Sequence, residues 1–256
     1  MNASGPRRIG SPYLDTAHNR RLAESVAAAV PAVMADYAEP FLDGGAVALR
    51  MMHEHPGAVF SLSSPNAEVI ATWEAARADV EGVIDAVGRL AAAHSPSAFA
   101  ALRDQDPDAV SRLPIAERAA RFVYLRGTAQ PHPLGGPLQE FSGARYGRET
   151  VAFDEAKLRE FGRLLGEREV RLAVRPLFAA LPGIRDDDLV YLDAPEPPPP
   201  ALTRELRSFV STVTAKGAFV LAARASAGLA VIAGVDGGEP VWGNPLAVRA
   251  VRPVRA

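Results

Sequence analysis

Residues 37–52, YAEPFLDGGAVALRMM, pass from a short extended apolar segment through paired glycines into an alanine-rich helical pattern. A strand that turns through glycine straight into a helix is the unit of a parallel sheet, because parallel strands need a crossover between them. The same logic recurs at 57–70, GAVFSLSSPNAEVI, with strand residues near Val59 and Phe60, a Ser-Ser-Pro-Asn turn and a long helical region after it. Further along, REVRLAVRPL (168–177), DLVYLD (188–193) and AFVLAAR (218–224) have strand character. Between them, DEAKLREFGRLLGE predicts an amphipathic helix capped by Asp154, with Leu158, Phe161, Leu164 and Leu165 on one side. PALTRELRSFVSTVTAKG (200–217) predicts another, closed by Gly217. The expected class is α/β.

The pattern is less regular elsewhere. Residues 20–34 predict a helix with a proline near its end, and IAERAARFVYLRG (115–127) predicts one with Ile115, Ala119, Phe122 and Val123 on its apolar side. Residues 95–113 look polar and broken, and 127–150, rich in glycine and proline, predict an irregular loop or hairpin where recognition would sit. The prolines at 197–200 look like a short rigid connector.

A chain of 256 residues, 48% hydrophobic, can bury a substantial core. It contains no cysteine, which excludes disulfides, thiolate metal ligands and a cysteine nucleophile, and fits a cytoplasmic setting. Neither a signal-peptide pattern nor a run of about 18 apolar residues is evident, so no membrane partner is expected. HEH at 53–55 spaces its histidines at i and i+2, which face different ways on a helix, and no metal site is expected.

A net charge of −2 gives no general attraction to nucleic acid, yet Arg112, Arg118, Arg121, Arg126, Arg145 and Arg148 make one region locally basic. Such a cluster suits phosphate contacts. Lysine occurs only at Lys157 and Lys216, so arginine is also simply the usual cation of this chain.

Four segments in order resemble adenine-specific DNA methyltransferases of the Dam group. AEPFLDGGAV (38–47) is similar to that family's E-P-F-x-G-x-G-x-V cofactor loop, and SPNAEVI (64–70) to its Asp-Ile-Asn-Pro-Glu-Leu-Ile turn. RFVYLRGT (121–128), the glycine-rich stretch and FSGARYGRET (141–150) take the place of its Asn-Arg-Thr segment and recognition hairpin, and DLVYLDAPE (188–196) that of Val-Tyr-x-Asp-Pro-Pro-Tyr. The resemblance implies a Rossmann-like methyltransferase sheet, formed by residues 1–75 and 151–256, with 76–150 as a helical and hairpin target-recognition insertion. It implies S-adenosylmethionine as cofactor, held by Phe41, Asp43, Gly44, Gly45 and Ser64. It further implies a flipped adenine held at Asp193, Ala194, Pro195 and Glu196, and DNA contacts from Arg126, Arg145 and Arg148.

This sequence departs from the family where ligand is touched. Asp43 replaces a small residue and would repel the cofactor's carboxylate; Ser64 replaces the acid that binds ribose hydroxyls. TAHNRRLA (16–23), with Ala17, His18 and Asn19, lacks the family's Gly-x-Lys lysine. Glu196 stands where an aromatic ring stacks on the base, a contact worth about 1–3 kcal/mol; Tyr37, Tyr191 or Trp242 could stand in. Three readings follow: a catalytically silent relative (a pseudoenzyme) that binds DNA or a protein partner, an active methyltransferase, and a remodelled enzyme for another nucleotide-like substrate. The first is preferred.

Overall fold

The computed structural model describes residues 11–13, 16–130, 141, 144–151, 153–195, 197–226, 228–232 and 238–251. Its centre is one seven-stranded sheet. In chain order, helix α1 (Ala17–Ala28) precedes β1 (Tyr37–Glu39), α2 (Ala46–Glu54), β2 (Phe60–Ser64) and the helices α3 (Ala67–Ala78), α4 (Val80–Ala92), α5 (Pro96–Arg103), α6 (Pro107–Ser111), α7 (Ile115–Thr128) and α8 (Glu155–Glu167). Then come β3 (Val170–Val174), a 3-10 helix (Leu177–Gly183), β4 (Leu189–Leu192), α9 (Pro200–Ala215), β5 (Phe219–Ala222), β6 (Ala230–Ile232), β7 (Val241–Gly243) and α10 (Pro245–Ala250).

The strand order is β3-β2-β1-β4-β5-β7-β6. The first five strands are parallel, and β7 inserts antiparallel beside β5. This is the Rossmann-like sheet of methyltransferases, with its order reversing between β1 and β4. Period-two alternation builds a core on each face. Tyr37, Phe60, Leu62, Leu189, Tyr191, Phe219 and Leu221 enter one core, while Ala38, Val190, Leu192, Val220 and Ala222 enter the other. Hence all four residues of β4 are buried and the strand lies mid-sheet.

Helix α7 shows why the stretch after β2 is compact. Ala119 through Leu125 are all buried, and a helix that is buried nearly all round belongs inside rather than at a surface. It packs on α3 and α4 within the larger core. Arg118 ties it to Glu68 of α3 at 2.6 Å, and Arg121, itself buried, donates from Nε to the Leu102 carbonyl at the end of α5. Gly162 lets α8 approach α3, because a Cβ there would stand 2.7 Å from the Ala76 carbonyl oxygen.

Several local expectations need correction. Residues 95–113 hold two short helices rather than a broken stretch, because Ser95 and Asp106 cap them and Pro96 and Pro107 occupy first-turn positions where no N–H is needed. The prolines at 197–200 run into a helix start: Pro197 and Pro198 precede α9, Pro199 is its N-cap and Pro200 its first residue. Ile115 is 43% exposed, so it lies off the buried side of α7. The long helical region after β2 is divided at Asp79, whose non-helical backbone ends α3 and whose carboxylate accepts from Gly82 N–H to start α4. The first helix stops at Ala28, ahead of Pro31.

Candidate ligand-binding cleft

The C-terminal ends of β1, β2 and β4 open onto one cleft of about 360 Å3. It sits at the point where the strand order reverses, where open α/β sheets bind ligands. Of the residues expected at a cofactor site, Phe41, Asp43, Gly44, Gly45 and Ser64 all line it, and Asp193 and Pro195 reach it from the end of β4. Ala194 sits between them and meets the cleft through its carbonyl partner, described below. Glu196 lies outside the described residues, as do residues 131–140 and 142–143 of the stretch expected to form the hairpin.

The glycine turn is held by an aromatic anchor. Gly45 adopts φ +62°, the left-handed region that favours glycine, and a Cβ there would lie 2.2 Å from the Trp73 ring. Trp73 Nε1 donates to the Asp43 carbonyl at 3.2 Å and to Tyr13 Oη at 3.1 Å, while Tyr13 donates to the same carbonyl at 2.6 Å. Burial pushes the Tyr13 hydroxyl well above its ordinary pKa, so it stays a donor. The turn is thereby fixed from behind, with its backbone facing the cleft.

Asp43 does not stand in the cleft as a lone charge. Arg126 of α7 makes an ion pair with it through Nη2 and Asp43 Oδ2. That pairing removes the repulsion expected for a ligand carboxylate. It also sets Arg126 apart from the arginines expected on DNA, since its side chain is only 11% exposed and faces the cleft. Arg145 is exposed and outside the cleft lining, whereas Arg148 is exposed and lines it. Neither makes a side-chain ion pair among the described residues.

Ser64 is buried and its Oγ accepts from Asn66 N–H at 3.2 Å, while the Asn66 side chain caps α3 by accepting from Glu68 N–H. The turn after β2 is therefore built from short neutral groups. Thr16 and Asn19 place the TAHN segment at the cleft without a lysine. Among the described lining residues the aromatic side chains are Phe41 and Tyr191; Tyr37 and Trp242 lie elsewhere.

The acceptors at the end of β4 are covered. Arg224 Nη1, just past β5, donates to Asp193 Oδ1 at 3.1 Å and to the Ala194 carbonyl at 2.8 Å. Those residues are two of the four at which the family resemblance implies a flipped adenine. Sequence reading missed Arg224, although its position at the C-terminal end of the strand beside β4 was the available signal.

Glu39 was missed as well. It is 3% exposed, accepts from Tyr37 Oη–H at 2.6 Å, and lines the cleft. Burial, with Asp193 and Asp43 adding to it, pushes its carboxyl up to about 8, against the Tyr37 hydrogen bond. Tyr191, 1% exposed, has a hydroxyl with no partner among the described residues, and burial together with Asp193 and Glu39 keeps it protonated. The acids opening DDDLVYLD lie at the other end of β4: Asp188 accepts from Asp36 N–H and Arg185 N–H and stabilises the turn there. No group of metal-ligating side chains occurs among the described residues, and no helix of theirs is long and apolar enough to cross a membrane.

Sheet order and cleft position define a methyltransferase-type α/β fold. No family model and no curated protein matches the chain in sequence. Among solved structures it is similar to the rRNA methyltransferase aviRa from Streptomyces viridochromogenes, at 12% identity and a TM-score of 0.40, over 94% of this chain and 90% of that one.

The cleft fits S-adenosylmethionine only in part. The glycine turn offers backbone for close approach, whereas Ser64, where the resemblance places an acid for the ribose hydroxyls, is a neutral side chain.

Proposed function

We propose that this chain is a Dam-like DNA adenine methyltransferase homologue whose methyl-transfer site is closed, and that it acts by binding DNA through residues 76–150. The observation that carries the reading is the position of Arg224 on Asp193 and Ala194. An adenine amine needs both acceptors to orient its lone pair toward a methyl donor, and a guanidinium already bonded to them competes for the same lone pairs. The order of the four resembling segments supports the ancestry, and the neutral turn at Ser64 supports weak cofactor capture.

Incubating the full chain with tritiated-methyl S-adenosylmethionine and adenine-containing single- and double-stranded DNA tests the closed site. The expected result is no incorporation above a heat-inactivated control; steady incorporation into adenine overturns it. DNA binding is tested by fluorescence anisotropy across a salt series. Arg145→Ala with Arg148→Ala should weaken association and flatten the salt slope by up to about two units. An unchanged slope removes these arginines from the interface.

A further inference from the structure

The charges of the described cleft lining run opposite to those a sulfonium cation needs. Among the described lining residues the acids are Glu39, Asp43 and Asp193, and the cations are Arg126, Arg148 and Arg224. Asp43 is paired with Arg126 and Asp193 with Arg224. Burial holds Glu39 protonated at neutral pH. Arg148 then gives the described lining a net positive charge, which favours an anionic ligand.

The second feature is the start of α2. Gly44, Gly45, Ala46 and Val47 line the cleft, Gly45 caps the helix with no side-chain acceptor, and the first turn contains no acid. Its leading N–H groups and the positive end of the helix dipole are therefore directed at whatever occupies the cleft. Independently, the Tyr191 hydroxyl is buried, without a partner among the described residues, and part of the same lining. A buried hydroxyl without a partner is unfavourable, and a ligand oxygen would satisfy it.

We propose that the cleft binds an anionic nucleotide, a nucleoside 5′-monophosphate, with its phosphate at the N-terminus of α2 and Arg148 and with Tyr191 donating to a ligand oxygen. The inference rests on the reading of this cleft as closed to adenine methylation. A phosphate at a glycine turn leading into a helix uses backbone N–H groups that no side chain has to supply. The volume of about 360 Å3 lies in the range of small-ligand sites, and Phe41, Leu42, Pro65 and Val69 supply apolar surface for a base or sugar. Asp43 does not oppose the phosphate, because Arg126 meets its charge.

Calorimetric titration of the full chain with AMP, adenosine, S-adenosylmethionine and S-adenosylhomocysteine tests the inference. AMP should bind at least tenfold tighter than adenosine and tighter than S-adenosylmethionine. Arg148→Ala should remove most of the AMP advantage, and Tyr191→Phe should weaken AMP severalfold. Ala46→Asp is the decisive variant, because an acid in the first turn favours the helix while placing negative charge where the phosphate is expected. It should abolish AMP binding with the circular dichroism spectrum and melting temperature kept.

AMP no tighter than adenosine, S-adenosylmethionine tighter than AMP, or Ala46→Asp binding AMP like the parent overturns the proposal. The methyl-transfer assay separates the two readings. A chain that methylates DNA is not closed, whatever AMP does, and a silent chain without AMP preference refutes this inference alone.

Discussion

Arg224 and Asp193 meet at 3.1 Å, and the same guanidinium nitrogen reaches the Ala194 carbonyl at 2.8 Å. Both side chains of the ion pair are about two-fifths exposed, at 38% and 41%. Its value to stability is therefore small, below about 1 kcal/mol, even though its effect on what can bind is large. Arg224→Ala should leave the urea midpoint almost unchanged while raising the affinity for adenosine about threefold to tenfold, as measured by calorimetry. A large loss of stability with no gain for adenosine would make Arg224 a structural brace instead of a cover.

Asp43 and Arg126 form a more sheltered pair, 83 positions apart in sequence. Arg126→Ala leaves a carboxylate at the cleft without its counter-charge, which should cost about 1–3 kcal/mol in chemical denaturation. Asp43→Ala with Arg126→Ala should recover part of that loss, because the uncompensated charge disappears. A double variant that loses the sum of the two single losses would show that the two side chains act independently.

The legible parts of the fold were those written in local patterns. Alternation and apolar runs located β1, β2, β3, β4 and β5, and Asp154 with its apolar stripe located α8. The glycine turn was legible because Gly45 needs a backbone that few other residues adopt. Pro96 and Pro107 misled, since proline breaks a helix interior but starts a helix well, and the sequence alone does not say which. The local excess of arginine misled for another reason. Arg118, Arg121 and Arg126 are each engaged by a residue far away in sequence, a pairing that charge counting does not reveal. Arg224 belonged to the cleft only once β5 was known to lie beside β4.

Gly45 offers a direct test of the glycine turn. Alanine there combines a left-handed backbone with a Cβ 2.2 Å from Trp73, and should destabilise by about 2–5 kcal/mol. Gly88→Ala is the matched control, since it lies within α4 and a Cβ there meets nothing within 4 Å, so it should stabilise by up to about 1 kcal/mol. Denaturation followed by tryptophan fluorescence reads both. Equal stability of the two variants would reject the role assigned to the turn.

Glu39 makes stability depend on pH in a definite direction. Its carboxyl, buried beside Tyr37 on β1, Tyr191 and Asp193 at β4, and Asp43 in the glycine turn, titrates at about 8 in the folded chain against an ordinary 4.5. Below pH 4.5 both states hold the proton and nothing is lost. From 4.5 to 8 the unfolded carboxyl ionises while the folded one does not, so stability falls as pH rises, and above 8 the full loss persists. That loss is on the order of 5 kcal/mol, because each tenfold difference in proton affinity between the two states is worth about 1.4 kcal/mol. Glu39→Gln keeps an acceptor for the Tyr37 hydroxyl and carries no proton to lose, so its advantage over the parent should be smallest near pH 4 and grow up to about pH 9. Urea denaturation of both proteins across that range measures the difference. A constant difference would mean that Glu39 is ionised in the folded chain at neutral pH, and Arg148 would then no longer leave the described cleft lining with a net positive charge.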